Sequence, residues 1–206
     1  MLGCHDISPP WLSCYVEGCE QTPHVDAPHG PWAWVFSLTP WGGHHFSGGR
    51  TVLHRARKER IEPRFNQLFV FDPNLRHGVE RVQGTTDPRE GRLVVHGWFV
   101  QPRPFIEGPL STRALAGGIG EVSQALEPWL RSGLELRGMV SLGFDVRADG
   151  RVSRLRVLSD NTRAPRRDEK HRLALLQAIA STLRAHHYPR TRGTSRVTLP
   201  FVFDAA

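Results

Sequence analysis

With 206 residues the chain is one large domain or two small ones, and a 39% hydrophobic content is enough to build a core. Its 20 glycines and 16 prolines favour a turn-rich β architecture and argue against a helical bundle. The net charge of +7 is mostly arginine scattered along the chain; it reads as a solvated surface, since no nucleic-acid-binding motif accompanies it, and no apolar run reaches the ~18 residues of a membrane span.

From the N-terminus, "MLGCHDISPPW" lacks the apolar stretch of a signal peptide. Cys4, Cys14 and Cys19 are odd in number and form no CxxC, which signals neither a disulfide framework nor a zinc knuckle and fits a reducing, cytoplasmic setting. Residues 11 to 100 then read as short strands, "WLSCYVEG", "WAWVFSLT", "GRTVLH", "NQLFVFD", "HGVERV" and "RLVVHGWFV". Turns rich in Gly, Pro, Asn and Asp divide them, as expected of a sandwich or small barrel. "QPRPFIEGPLST" reads as a connector, and the boundary between two domains, 1–110 and 111–206, is placed near residue 110. A helix is expected over "GGIGEVSQALEPWLRSG", with Ile119, Val122, Leu126, Trp129 and Leu130 near helical spacing and a stop at Gly133. "MVSLGFDVRADGRVSRLRVLSD" is a hairpin in which Val140, Leu142, Phe144 and Val146 alternate. "DEKHRLALLQAIASTLRAHHY" is an amphipathic helix with Asp168 as its N-cap and a stripe of Leu173, Leu176, Ala180 and Leu183. "SRVTLPFVF" closes the chain with Val197, Leu199, Phe201 and Phe203 on one face, so the tail reads helix–β–β–α–β, a small α+β domain.

The chemistry concentrates in the first half. In a strand, residues i and i+2 share a face, so His24 and Asp26 of "HVD" project together. A third ligand from another strand would complete two imidazoles and one carboxylate, a set that leaves coordination positions open and suits non-haem Fe(II). His77, at the start of a strand after a turn, is that candidate. In "EGRLVVHGWFV", Arg92, Val94, His96 and Trp98 fall on one face; an inward arginine is costly unless it meets an anion, and a dicarboxylate held by the guanidinium fork would supply one. Taken singly, each residue has a commoner structural role: His24 in a turn or core, Asp26 as a turn former beside Pro28, Arg92 on the surface. His29, His44 and His45 read as loop residues, because nothing completes a tetrahedral metal set around them. A cupin would need HxH followed by Glu, whereas Val25 and Asp26 follow His24.

Together, "HVD…SGGRTVLH…IEPRFNQLFVFDPNLRHGVERV…GRLVVHGWF" resembles the Fe(II)/2-oxoglutarate-dependent oxygenases of the prolyl-4-hydroxylase-like branch, over about residues 12 to 100. The resemblance implies a mainly β fold with a double-stranded β-helix (jelly roll), and His24, Asp26 and His77 as ligands of Fe(II). It implies further that Arg92 grips the distal carboxylate of the co-substrate 2-oxoglutarate, with ascorbate as an accessory reductant. Tyr15, nine residues before His24, falls where relatives carry a pocket tyrosine; Trp98, six after Arg92, falls where they carry an aromatic. Ser37 in "WVFSLT" stands where relatives often place a tyrosine that shares the co-substrate carboxylate. Related halogenases lack the carboxylate ligand, so Asp26 implies hydroxylation of a C–H bond, by analogy in a prolyl residue of a protein or peptide. The chain starts 23 residues before His24, so the barrel reads as N-terminally short. The alternative is a metal-binding, protein-docking module whose barrel has lost turnover.

The second half, "GMVSLGFDVRADGRV…LLQAIASTLRAHHYPRTRGTSRVTLPFVF", resembles TonB C-terminal-like domains over about residues 118 to 204. This implies a protein partner met by strand addition.

Overall fold

The computed structural model describes residues 2–26, 29–131 and 134–203. The chain divides into two compact units: His5–Gln101, and a second formed from Pro102 onwards together with the residues up to Cys4. The division falls at 101/102, ahead of the expected break near 110, because the connector "QPRPFIEG" contributes a strand to the second unit.

The first unit is built from β1 (Cys4–Ile7), β2 (Trp11–Tyr15), β3 (Gln21–His24), β4 (Trp32–Ser37), β5 (Thr51–His54), β6 (Lys58–Ile61), β7 (Gln67–Phe71), β8 (His77–Val79) and β9 (Arg92–Pro102). One sheet runs β1–β9–β4–β7, with β2 also paired to β9; the other runs β3–β8–β5–β6. Ala33, Phe71 and Leu53 form the buried contact between the sheets, with Val35, Phe69 and Trp98 packed around them. Two sheets facing one another in this way make the expected jelly roll. All six strand runs read from the sequence are present. Three further strands are not legible from alternation: β1, β3 ("QTPH") and β6 ("KERI") are polar or charged, and the last two are held by their ladders to β8 and β5.

The second unit contains β10 (Phe105–Glu107), α1 (Thr112–Arg131), β11 (Gly138–Val146), β12 (Val152–Asp160), α2 (Glu169–Ala185) and β13 (Ser195–Phe203), in the sheet order β10–β13–β11–β12. Beyond the expected helix–β–β–α–β, β10 pairs antiparallel with β13, Phe105 opposite Thr198 and Glu107 opposite Arg196. Helix α1 begins at Thr112, ahead of the expected start, because the Ser111 hydroxyl accepts the Ala114 N–H at 3.1 Å and caps the first turn. Gly133, the expected stop, and the side chain of Leu130 lie outside the described residues.

Leu115, Val122 and Leu126 of α1 and Leu175, Ile179 and Leu183 of α2 pack on Val140, Leu142, Phe144 and Val146 of β11 and Val197 and Leu199 of β13. The buried stripe of α2 therefore differs from the expected one. Leu183 is shared and Leu176 packs against the core at its margin, but Leu175 and Ile179 carry the buried face and Leu173 is exposed. Asp168 precedes the helix without a capping side-chain bond. Phe144 is buried at the centre of this core, and Phe144→Ala is expected to destabilise the second unit by about 3–5 kcal/mol, read from a denaturant melt.

Candidate metal centre

The register of one strand pair brings the two histidines together. His24 ends β3, His77 opens β8, and they stand opposite each other in the antiparallel ladder. Their ring centroids are 4.4 Å apart. A side chain at position 78 would spoil this approach: a Cβ on Gly78 would lie 2.5 Å from the Gln21 carbonyl oxygen. Asp26 lies past the end of β3, so the loop aims it, where strand alternation had been expected to do so. Its backbone N–H donates to the Pro73 carbonyl at 2.9 Å. Its carboxylate sits 3.2 Å from His24 Nε2 and 3.3 Å from His77 Nε2. One donor atom from each residue lies within 4.8 Å of the others, and among the described residues this is the one His/Cys/Asp/Glu cluster that could hold a metal.

The protonation pattern suits a cation. His24 Nδ1 is 2.8 Å from the Thr22 carbonyl and His77 Nδ1 is 2.7 Å from the Leu75 carbonyl. A carbonyl oxygen only accepts, so each Nδ1 carries the proton, and each Nε2 is presented to the Asp26 side. Burial pulls the Asp26 carboxyl upward, but the bond from His77 and the neighbouring histidine charges hold it below the usual carboxylate range. Burial depresses His77, but Asp26 and the Leu75 carbonyl more than offset this and raise it. A proton on His77 Nε2 occupies the lone pair that a divalent cation would take, so the two compete there. Two imidazoles oriented by backbone acceptors and one carboxylate fit a non-haem Fe(II) donor set.

The same cavity holds a buried cation with donors to spare. It is lined by the triad together with Tyr15, Thr51 and Arg92. Arg92 is 2% exposed. Its Nη2 donates to the Thr51 hydroxyl at 3.1 Å, and its guanidinium carbon stands 4.7 Å over the Tyr15 ring, the residue opposite it across β2 and β9. Its Nε is buried with no hydrogen-bond partner. Burial pulls the guanidinium down to about 10, against the opposing effect of Tyr15. A desolvated guanidinium with an unfilled donor calls for an anionic acceptor. The buried indole N–H groups of Trp34 and Trp98, also cavity residues, lack partners too.

Six of the seven expected site residues thus meet: His24, Asp26, His77, Arg92, Tyr15 and Trp98 all line the cavity. Ser37 does not join them. Its hydroxyl donates to the Pro63 carbonyl at 2.5 Å and accepts the Thr39 N–H at 3.2 Å. Thr51, which the sequence reading missed, supplies the hydroxyl beside Arg92. Its only sequence signal is alternation within "TVLH", where Thr51 shares a face with the core residue Leu53. His96 also faces the cavity, with Nε2 2.8 Å from the Ser13 hydroxyl, and burial and the nearby Arg92 charge keep its ring from protonating readily.

Comparison with known proteins bears on this arrangement. Residues 10–100 match the family described as the 2OG-Fe(II) oxygenase superfamily. No curated protein sequence matches the chain. Among solved structures, a Pseudomonas putida prolyl-4-hydroxylase is 24% identical with a TM-score of 0.41, covering 48% of this chain and 54% of that one. A 2OG-Fe(II) oxygenase family oxidoreductase from Burkholderia pseudomallei is 22% identical with a TM-score of 0.37, covering 45% and 43%. The chain thus spans about half the length of these two proteins. The Helicobacter pylori TonB C-terminal domain is 17% identical with a TM-score of 0.28, covering 48% of this chain and 98% of that one. Among the described residues no helix is long and apolar enough to cross a membrane. The triad and the buried Arg92 both fall within residues 10–100, and it is to the 2OG-Fe(II) oxygenase superfamily that this half of the chain is similar.

Proposed function

We propose that the chain is an Fe(II)- and 2-oxoglutarate-dependent dioxygenase that hydroxylates a C–H bond, with a prolyl residue of a protein or peptide as substrate. The reading is carried by one observation: a two-histidine, one-carboxylate triad shares its cavity with a sealed arginine whose Nε has no partner. The overall conversion takes substrate C–H, O2 and 2-oxoglutarate to C–OH, succinate and CO2. Fe(II) held by His24, Asp26 and His77 would supply the oxygen chemistry that side chains lack. The chain's own residues do the rest. The carbonyls of Thr22 and Leu75 keep both imidazoles in the ligating tautomer. Arg92 receives the distal carboxylate, Thr51 steadies the guanidinium from one side, and Tyr15 covers its face. The prolyl preference rests on the sequence resemblance, with a hydroxylase of that name among the similar structures. A cytoplasmic setting is supported by three free thiols. For the second unit we propose protein docking, supported by its TonB-like sequence and by β12, an outermost strand of its sheet.

The test is a succinate assay with Fe(II), 2-oxoglutarate and prolyl peptides on the full chain and on Asp26→Gly. The wild type is expected to form succinate. The variant should lose hydroxylation while keeping weakened metal binding through its two histidines. Full hydroxylation by Asp26→Gly would reduce Asp26 to a loop residue. Binding of metal and 2-oxoglutarate by the wild type without succinate would favour the docking module with an inactive barrel.

A further inference from the structure

Strand β2 carries a file of side chains that begins at Tyr15 in the cavity and ends at the exposed Trp11. Tyr15 stands opposite Arg92 and Trp11 opposite His96, so Tyr15, Ser13 and Trp11 share the face of Arg92, Val94 and His96. Exposure rises along the file: Arg92 is sealed, whereas Trp11 is 49% exposed. Trp11 meets Trp98 edge to face, with centroids 5.2 Å apart and planes at 79°, and overlies His96 at 6.2 Å. The exposed His29 ring lies 4.6 Å from Trp98. It is seated there because the next residue has no side chain: a Cβ on Gly30 would fall 2.6 Å from the Phe99 carbonyl oxygen and 2.8 Å from Trp98 Cβ. Trp98 itself lines the cavity. Three rings therefore crowd at the rim, and two of them are held half in water by specific packing. An indole kept half exposed beside a cavity is apolar surface that lacks its partner.

We propose that Trp11, with Trp98 and His29, forms a ring-binding shelf that takes an apolar ring on the residue next to the reacting one, so that the substrate is a peptide with a proline or aromatic neighbour. This rests on the oxygenase reading of the cavity. A free amino acid has no second residue to place on the shelf, and a glycine neighbour leaves the indole in water. Contact between aromatic rings adds about 0.5–1.5 kcal/mol beyond burial, which corresponds to a preference of roughly 2- to 12-fold.

The experiment uses the full chain loaded with Mn(II) and 2-oxoglutarate and three capped tripeptides with a central proline, flanked on both sides by phenylalanine, proline or glycine. Binding is read by calorimetry and by the shift in tryptophan emission. The phenylalanine-flanked peptide should bind roughly 2- to 12-fold tighter than the glycine-flanked one, and the proline-flanked peptide should also bind tighter. Trp11→Ala should remove that preference and leave 2-oxoglutarate affinity unchanged. Trp11→Phe should restore most of the preference while reducing the emission shift to the part that Trp98 reports, a split that a merely structural role for Trp11 would not produce. Preference surviving in Trp11→Ala, or absent from the wild type while Mn(II) and 2-oxoglutarate bind normally, overturns the shelf alone. Failure of the wild type to bind Mn(II) and 2-oxoglutarate overturns the oxygenase reading and the shelf with it.

Discussion

Replacing Arg92 with alanine is expected to weaken 2-oxoglutarate binding by about two to four orders of magnitude while leaving metal affinity nearly unchanged. The guanidinium is sealed from solvent, donates to the Thr51 hydroxyl and stacks on the Tyr15 ring, with its Nε unpaired. On the proposed reading, a bound dicarboxylate would complete this charge. Removing one member of a buried pair typically costs about 3–5 kcal/mol, which sets the loss of affinity. Arg92→Lys should recover part of the binding, since it keeps the charge but loses the two-pronged geometry. The contrast lies in arginines that share the barrel but not the cavity. Arg89 is already paired with Asp87 at 2.6 Å on the surface, and Arg89→Ala, like Arg76→Ala and Arg81→Ala, should be close to neutral. Titration of 2-oxoglutarate into Mn(II)-loaded protein across the four variants decides the matter. Wild-type binding by Arg92→Ala, with failure of another, would assign the anion site elsewhere.

His77→Ala should abolish specific metal binding and His24→Ala should nearly do so. Altering a partner of a metal ligand commonly lowers affinity by roughly 10–100-fold, and loss of a ligand itself should exceed this. The two sites are not equivalent. His77 is buried, packs edge to face on Phe71 at 4.6 Å and makes the closer connection to the turn through Leu75. Its removal should therefore also loosen the barrel. His24 is the more exposed of the two histidines, so its variant should melt near the wild type and lose chiefly the metal. Calorimetric titration with Mn(II) and thermal melts of both variants separate the two effects. Unchanged metal affinity in both would remove the triad from consideration.

Much of this was legible in the chain itself. The alternation in "RLVVHGWFV" determined that Arg92, Val94, His96 and Trp98 would share a face, because a strand's side chains repeat every two residues whatever it pairs with. "HVD", the later His77 and the turn residues between them were enough to propose the ligand set. The hydrophobic faces of β11 and β13 were likewise visible. What alternation and periodicity cannot carry is the choice made by a partner. β3 and β6 are polar segments that become strands because β8 and β5 offer them hydrogen bonds, and the three residues of β10 do so because β13 does. Helix α2 has leucines enough to present either of two stripes; the sheet beneath selects Leu175, Ile179 and Leu183 and leaves Leu173 in water. Ser37 and Thr51 are both small hydroxyl residues on barrel strands. Only the facing of the two sheets decides that Thr51 reaches the guanidinium while Ser37 is satisfied by the Pro63 carbonyl. The tautomers of His24 and His77, on which the proposed metal binding would depend, are set by backbone carbonyls two residues upstream. A sequence names the ligand side chains, whereas the direction of a carbonyl is a property of the folded turn.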